Sequence, residues 1–182
     1  KRYFSEGDAP CVVDIADMKV GITICEDIWH REPADAAKRI GAELLVNLNA
    51  SPFHRGKHKE RWQALTLRTT EQKIPMIYVN QVGGQDELVF DGGSFATNAD
   101  GEPAVVAPDF EEGCFEIMVE RTVRGLEVVP GVTAATLSDV AAVWQALVLG
   151  VRDYVEKNGF PGVVLGLSGG IDSAVTLAVA VD

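Results

Sequence analysis

Apolar positions fall into short runs separated by polar, glycine-rich or periodic stretches. Runs at 11–15 and 18–25, joined by Ala16-Asp17, have hairpin spacing and read as two strands. Pro33 stands where a first helical residue would, and Ala34, Ala37, Ile40 and Gly41 continue a short helix that closes at glycine. Residues 44–49 (LLVNLN) form a compact strand, followed by a polar loop to Gly56. From 57 to 73, Trp62, Leu65 and Thr69 recur at helical spacing, with Lys59, Glu60, Arg68 and Glu71 left for solvent, and Pro75 ends the pattern. Residues 76–80 are another short strand, so the rhythm is β-α-β-α-β.

The character then changes. Gly83-Gly84 and Gly92-Gly93 bracket an apolar run at 88–90, residues 94–97 enter a turn at 98–101, and further strands are expected around 105–106 and 114–119. Residues 121–132, with Pro130 and two glycines, read as a connector. Leu137, Val140, Trp144, Leu147, Val151 and Tyr154 then mark an amphipathic helix packed through that stripe, opened by a capping-box sequence at 136–139 and ended by Gly159. A buried strand at 163–167 and an apolar helix from about Ala174 complete the chain.

Composition narrows the function classes. The 182 residues are 47% hydrophobic with a formal net charge of −11, ordinary for a globular protein and unfavourable for a phosphate-backbone surface, which needs clustered Lys and Arg. Small molecules are the expected partners, with no nucleic acid and no membrane. Cys11, Cys25 and Cys114 are widely spaced and odd in number, which points to a reducing cytoplasm, with Cys11 and Cys114 expected to be packed. No apolar run approaches the roughly 20 residues of a membrane helix. The chain starts without Met and stops inside an apolar run, so a piece of a longer protein is expected.

Two stretches carry candidate chemistry. Gly21 to Trp29 (GITICEDIW) delivers one thiol and two carboxylates at a strand end, and Cys25 reads either as a nucleophile or as a packed strand thiol. Glu26 and Asp27 are poor candidates for its base, because adjacent side chains point different ways. Ser168 to Ser173 (SGGIDS) follows an apolar run and opens a helix, a setting in which backbone amides converge on an anion, although such turns also arise for conformational reasons alone. It lacks the closing Gly-Lys-Ser/Thr of a Walker A loop. His54 and His58 read as part of a solvated basic loop, His30 lies too near Cys25 in sequence to settle a Cys-His arrangement, and Asp86, Glu87 and Asp91 read as a solvated acidic loop.

The run SGGIDS after VVLGL resembles the PP-loop of the ATP pyrophosphatase superfamily, and GITICEDIW, LLVNLNASPF and IPMIYVNQVGG resemble the carbon-nitrogen hydrolase (nitrilase) superfamily. The two in this order are similar to the glutamine-dependent NAD synthetase family. The resemblance implies an α/β chain: a nitrilase-like αββα layered sandwich, truncated, followed by the first elements of a doubly wound parallel ATP-pyrophosphatase domain. The expected division is 1–120 glutaminase, 121–133 connector and 134–182 synthetase. It implies Cys25 as nucleophile, the Glu26 backbone N–H as oxyanion donor, and Trp29, Ser51 and Lys57 around glutamine, with Lys57 where an Arg can occur. Gly166, Ser168, Gly169, Gly170, Asp172 and Ser173 would hold ATP, Asp172 with magnesium, and deamido-NAD would be amidated in a homo-oligomer. The family's Glu and Lys partners of the thiol lie upstream of the ICED motif, and Lys1 does not match that lysine; these residues alone are therefore expected to be inactive. A free-standing amidase and a silent interaction module are the competing readings; GMP-type and asparagine synthetases fit less well, since they use other glutaminase folds.

Overall fold

A computed structural model describes residues 5, 7 and 9–182, so the opening Lys1-Arg2-Tyr3-Phe4 lies outside the described residues. In chain order the first elements are β1 (Cys11–Ile15), β2 (Met18–Ile24), a 3₁₀ turn (Cys25–Trp29), α1 (Arg31–Arg39), β3 (Leu44–Asn49), α2 (Lys57–Gln72) and β4 (Met76–Asn80). Then follow β5 (Val82–Gln85), β6 (Leu88–Asp91), β7 (Phe95–Thr97), β8 (Pro103–Val106), β9 (Val119–Thr122), β10 (Gly125–Val128), α3 (Asp139–Lys157) and α4 (Ile171–Val181).

Each apolar run is too short to bury itself as a helix, and the runs pair instead. One six-stranded sheet has the order β1-β2-β3-β4-β7-β8; β2, β3 and β4 are parallel, β1 and β7 flank them antiparallel, and β8 pairs antiparallel with β7 at the outer edge. α1 and α2 cover one face, where Ile28, Ala34, Ala37, Leu45, Leu65, Met76, Tyr78 and Phe95 form the main core. Gly21 sets how closely α1 can approach: a Cβ there would lie 2.5 Å from Leu45 Cδ2 and 3.1 Å from the Ala37 Cβ. Leu45 is fully buried and has nowhere to move. Gly21→Ala is therefore expected to destabilise the fold by about 1–3 kcal/mol, read as a lower urea midpoint at unchanged slope; an unchanged midpoint would refute the close approach.

The other sheet face carries the β9–β10 hairpin, which buries Leu126 against Val20 and Leu44 and Val128 against Ala96, Ala104 and Val105. Arg121 fastens it by donating to Glu43 at 2.6 and 3.2 Å and to the Asp17 carbonyl. Arg121 and the Lys19 amide hold the Glu43 carboxyl down at about 2.

Several expectations are corrected. The strand expected at 114–119 forms instead as β9, and the expected connector contains β10. Beyond it, residues 131–134 run along β8, with the Gly131 N–H donating to the Ala104 carbonyl, Val106 N–H to Val132 and Ala134 N–H to Val106. A sheet edge with open amides is a better place for a polar segment than free solvent. Residues 163–167 form no strand and are exposed, because no described strand offers them a ladder. The cap of α3 is Ser138, whose hydroxyl accepts from the Ala141 amide, two residues later than the expected box. The anticipated stripe of α3 is largely outward, with Val140, Leu147 and Tyr154 exposed. Ala146, Leu149, Gly150 and Asp153 turn inward against the β5–β6 hairpin instead, since Gly84 and Gly150 allow a backbone approach that larger side chains would block. Arg68 is buried, while Cys11 and Cys114 are exposed and not packed.

Candidate active site

β2, β3 and β4 end together, so whatever follows each strand collects at one edge of the sheet. β2 is followed by Cys25 at φ 45°, a left-handed conformation that non-glycine residues adopt at a cost and that turns the chain sharply into the 3₁₀ turn. The thiol is half-buried there, with the Glu26 backbone N–H next in the chain. Asp27 folds back, its carboxylate accepting from the Ile24 N–H at 2.8 Å, so it shapes the turn and does not face the thiol as a base. The Glu26 carboxylate lies 3.8 Å from His30 Nε2 at the surface.

β3 is followed by loop 50–56 and α2. Trp29 and Lys57 meet at the rim, the ammonium 4.4 Å from the indole ring centroid and 3.1 Å from Glu60. Ser51 is placed deeper. Its N–H donates to Asn80 Oδ1 at 2.9 Å, its carbonyl accepts from Arg61 Nη2 at 2.8 Å, and its hydroxyl accepts from Arg61 Nε at 3.2 Å. Arg61 also donates to both oxygens of Asp91, at 2.8 and 2.9 Å, and to the Pro52 carbonyl. Burial pushes the Asp91 carboxyl up from its ordinary value, and Arg61 opposes that. Tyr78, on β4, joins the two parts. Burial raises its phenol, the Arg61 charge and a hydrogen bond with Ser51 pull the other way, and negative charge at Cys25 and Asp91 adds to the rise. Behind it Trp62 stacks on Phe95 and Phe95 on Tyr78, at centroid separations of 4.2 and 5.1 Å.

The structure thus gathers Cys25, Ser51 and Tyr78 along one edge, with Trp29 and Lys57 at the rim. Arg61, Asp91 and Asn80 were missed as parts of this edge, and Asp91 is a buried ion-pair partner and not a solvated loop acid. The signal available was positional: Arg61 stands four residues before Leu65 and so shares its inward face. His58 is likewise no solvated histidine, since its Nε2 accepts from the Trp62 indole at 2.7 Å and its Nδ1 lies 3.4 Å from Asp109. His54, by contrast, is exposed beside Glu60. A cavity of about 490 Å³ adjoins this edge, lined by Tyr78, Asn80, Ser94, Val105, Cys114 and Ile117 among others, but not by Cys25.

Far along the chain, Gly169 (φ 82°) turns the backbone into α4, with Gly170 as its N-cap. The Ser168 and Ser173 hydroxyls pair at 3.1 Å, and Ser173 also donates to the Gly170 carbonyl. No atom lies within 4 Å of a Cβ built on Gly166 or Gly169, so the loop has open space at its backbone. Asp172, in the first turn of α4, is exposed. Among the described residues no three His, Cys, Asp or Glu side chains cluster as a metal cage. One exposed carboxylate beside a glycine-rich loop that opens a helix suits a magnesium ion held mainly by phosphate oxygens and water.

The carbon-nitrogen hydrolase family matches residues 1–127, and the NAD synthase family matches residues 143–182. The chain is similar to the glutamine-dependent NAD(+) synthetases of Acinetobacter baylyi (45% identical) and Rhodobacter capsulatus (42% identical), each alignment covering all of this chain and 33% of the relative. It spans about a third of the length of these curated relatives. A solved glutamine-dependent NAD+ synthetase from Acinetobacter baumannii, in complex with adenosine diphosphate, superposes with a TM-score of 0.91 at 43% identity, covering 99% of this chain and 34% of that one. An amidase of the nitrilase superfamily from Nesterenkonia superposes at 0.53 with 22% identity, covering 70% and 44%, which bears on the fold alone. The fold is therefore nitrilase-like α/β, followed by the start of an NAD synthase domain, as the sequence led us to expect.

Proposed function

This chain belongs to the carbon-nitrogen hydrolase family, and from that membership we propose that it is part of an enzyme making NAD with glutamine as nitrogen donor. The observation that carries the reading is the pairing of a thiol at a strained strand end with a glycine-rich loop opening a helix on the same chain, so that release of ammonia and its use are joined. Cys25 attacks the side-chain carbonyl of glutamine, the Glu26 N–H donates to the oxyanion, and ammonia leaves to give a thioester that water hydrolyses to glutamate. Lys57, backed by Trp29, meets the α-carboxylate of glutamine as a single point charge, and Ser51 borders the same pocket.

In the second part, Ser168, Gly169, Gly170 and Ser173 open around the phosphates of ATP, Gly166 leaves space for the nucleotide, and Asp172 would hold the accompanying magnesium ion, which would offset phosphate charge when bound. The carboxylate of deamido-NAD attacks the α-phosphorus and pyrophosphate departs; ammonia then displaces AMP, yielding NAD. The glutaminase part extends through Val128, and the synthetase part takes up after the segment on β8. The proposal includes a homo-oligomer in the cytoplasm; no described helix is long and apolar enough to cross a membrane.

The test uses the full-length protein with amide-¹⁵N glutamine, ATP and deamido-NAD. The expected result is labelled NAD together with AMP, pyrophosphate and glutamate in equal amounts. Glutamate release without AMP would leave only an amidase. NAD formed only when free ammonia is supplied, with no label transferred from glutamine, would remove the glutaminase half.

A further inference from the structure

We propose that Arg61, held by Asp91, is a positioning residue for the thiol chemistry: it fixes loop 50–56 against β4 so that Ser51 and Tyr78 form a rigid wall beside Cys25. The inference rests on the glutaminase reading above and concerns a residue that touches neither the thiol nor the rim.

Arg61 is 1% exposed. A guanidinium has five N–H donors, and each has an acceptor here: the Ser51 hydroxyl, the two Asp91 oxygens, the Ser51 carbonyl and the Pro52 carbonyl. Three of the five go to the loop between β3 and α2. The backbone of that loop cannot pair within a sheet or helix, so side chains supply its partners. Asn80 completes the clamp, accepting from the Ser51 N–H at 2.9 Å and donating to the Ser51 carbonyl at 3.3 Å and the Gly92 carbonyl at 3.2 Å. All three polar groups of Ser51 are thus held by side chains from two different elements.

A charge in this place is costly to bury, and an ion pair of this kind is often replaced by apolar residues without loss of stability. Packing alone therefore does not account for the arginine. What an apolar replacement cannot do is hold two successive carbonyls and a hydroxyl in one plane. The sheet carries that order to the chemistry, since β3 lies between β2 and β4 in parallel register, so that Ser51 beyond β3 and Tyr78 on β4 stand at the edge where Cys25 follows β2. Lysine keeps the charge and loses the fork.

The experiment compares full-length wild type, Arg61→Lys and the double variant Arg61→Met/Asp91→Leu, with glutamine and with ammonia as nitrogen source. Arg61→Lys is expected to lower kcat/KM for glutamine about 100-fold, through a higher KM and a lower kcat together, because a loop misplaced by about 1 Å costs that much. Turnover from ammonia is expected to stay at the wild-type rate, which also reports a folded protein. The double variant leaves the Ser51 and Pro52 acceptors without their donor, so it is expected to melt below wild type, to keep turnover from ammonia and still to lack glutamine turnover. Wild-type kcat/KM for glutamine in Arg61→Lys, its recovery in the double variant, or an equal loss with ammonia would each overturn the proposal and leave Arg61 a packing residue. A wild-type protein that releases no glutamate from glutamine would instead overturn the glutaminase reading, and this inference with it.

Discussion

Replacing Cys25 by alanine in the full-length protein is expected to reduce glutamine hydrolysis by about 10³-fold or more while leaving NAD formation from free ammonia intact. The size of the effect follows from the chemistry. No neighbouring group can take over a covalent step once the nucleophile is gone: Asp27 is committed to the Ile24 amide, and Ser51 is clamped by Arg61 and Asn80. Its selectivity follows from distance along the chain, because the SGGIDS loop begins 143 positions later and draws none of its contacts from the strand ends. Mass spectrometry of the wild-type protein with glutamine adds a second measurement, a glutamyl adduct at Cys25 that is absent from the variant. Hydrolysis at the wild-type rate in Cys25→Ala would assign the nucleophile elsewhere.

Asp172→Ala is expected to act in the complementary way, lowering ATP-dependent synthesis by roughly 10²-fold from glutamine and from ammonia alike. The carboxylate stands in the first turn of α4, close in the chain to the backbone that Gly169 leaves open. Its side chain is exposed at the surface, and Thr176 engages its backbone carbonyl. Thermal stability without nucleotide should therefore be unchanged, and the loss should shrink as magnesium is raised. Full synthesis from both nitrogen sources in this variant would withdraw the loop from ATP binding.

How far the sequence could be read depended on whether a residue's partner lay nearby. β2, β3 and β4 were legible as short apolar runs bounded by Gly and Pro, and α2 as a periodic stretch ending before Pro75, because burial and punctuation are local properties. Cys25 was legible as a candidate, but its left-handed backbone was not, since that conformation is imposed by the strand before it and the turn after it. Arg61 went unread because pattern reading sends arginine to solvent, and only the meeting of α2, loop 50–56 and β6 supplies its five acceptors. For α3 the period was right and the face wrong: the spacing of Val140, Leu147 and Tyr154 says that a helix forms, while two glycines on different elements decide which side is buried. Residues 163–167 have the composition of a strand, and composition alone cannot supply a neighbour.

The contact between α3 and β5 bears on how the polypeptide can be divided. Against the upward push of burial, the Gly84 amide and Lys157 hold the Asp153 carboxyl below its ordinary value. Asp153 accepts from the Gly84 N–H at 2.7 Å, and Lys157 donates to the Gly84 carbonyl at 2.6 Å. The helix in which the NAD synthase match begins is thus hydrogen-bonded to a hairpin of the hydrolase part. A protease that nicks the chain at the exposed Ala135-Thr136 would cut the backbone without parting the two sides. A cut that keeps this contact whole falls after Lys157, about one helix downstream of the place where the two family matches meet in the sequence.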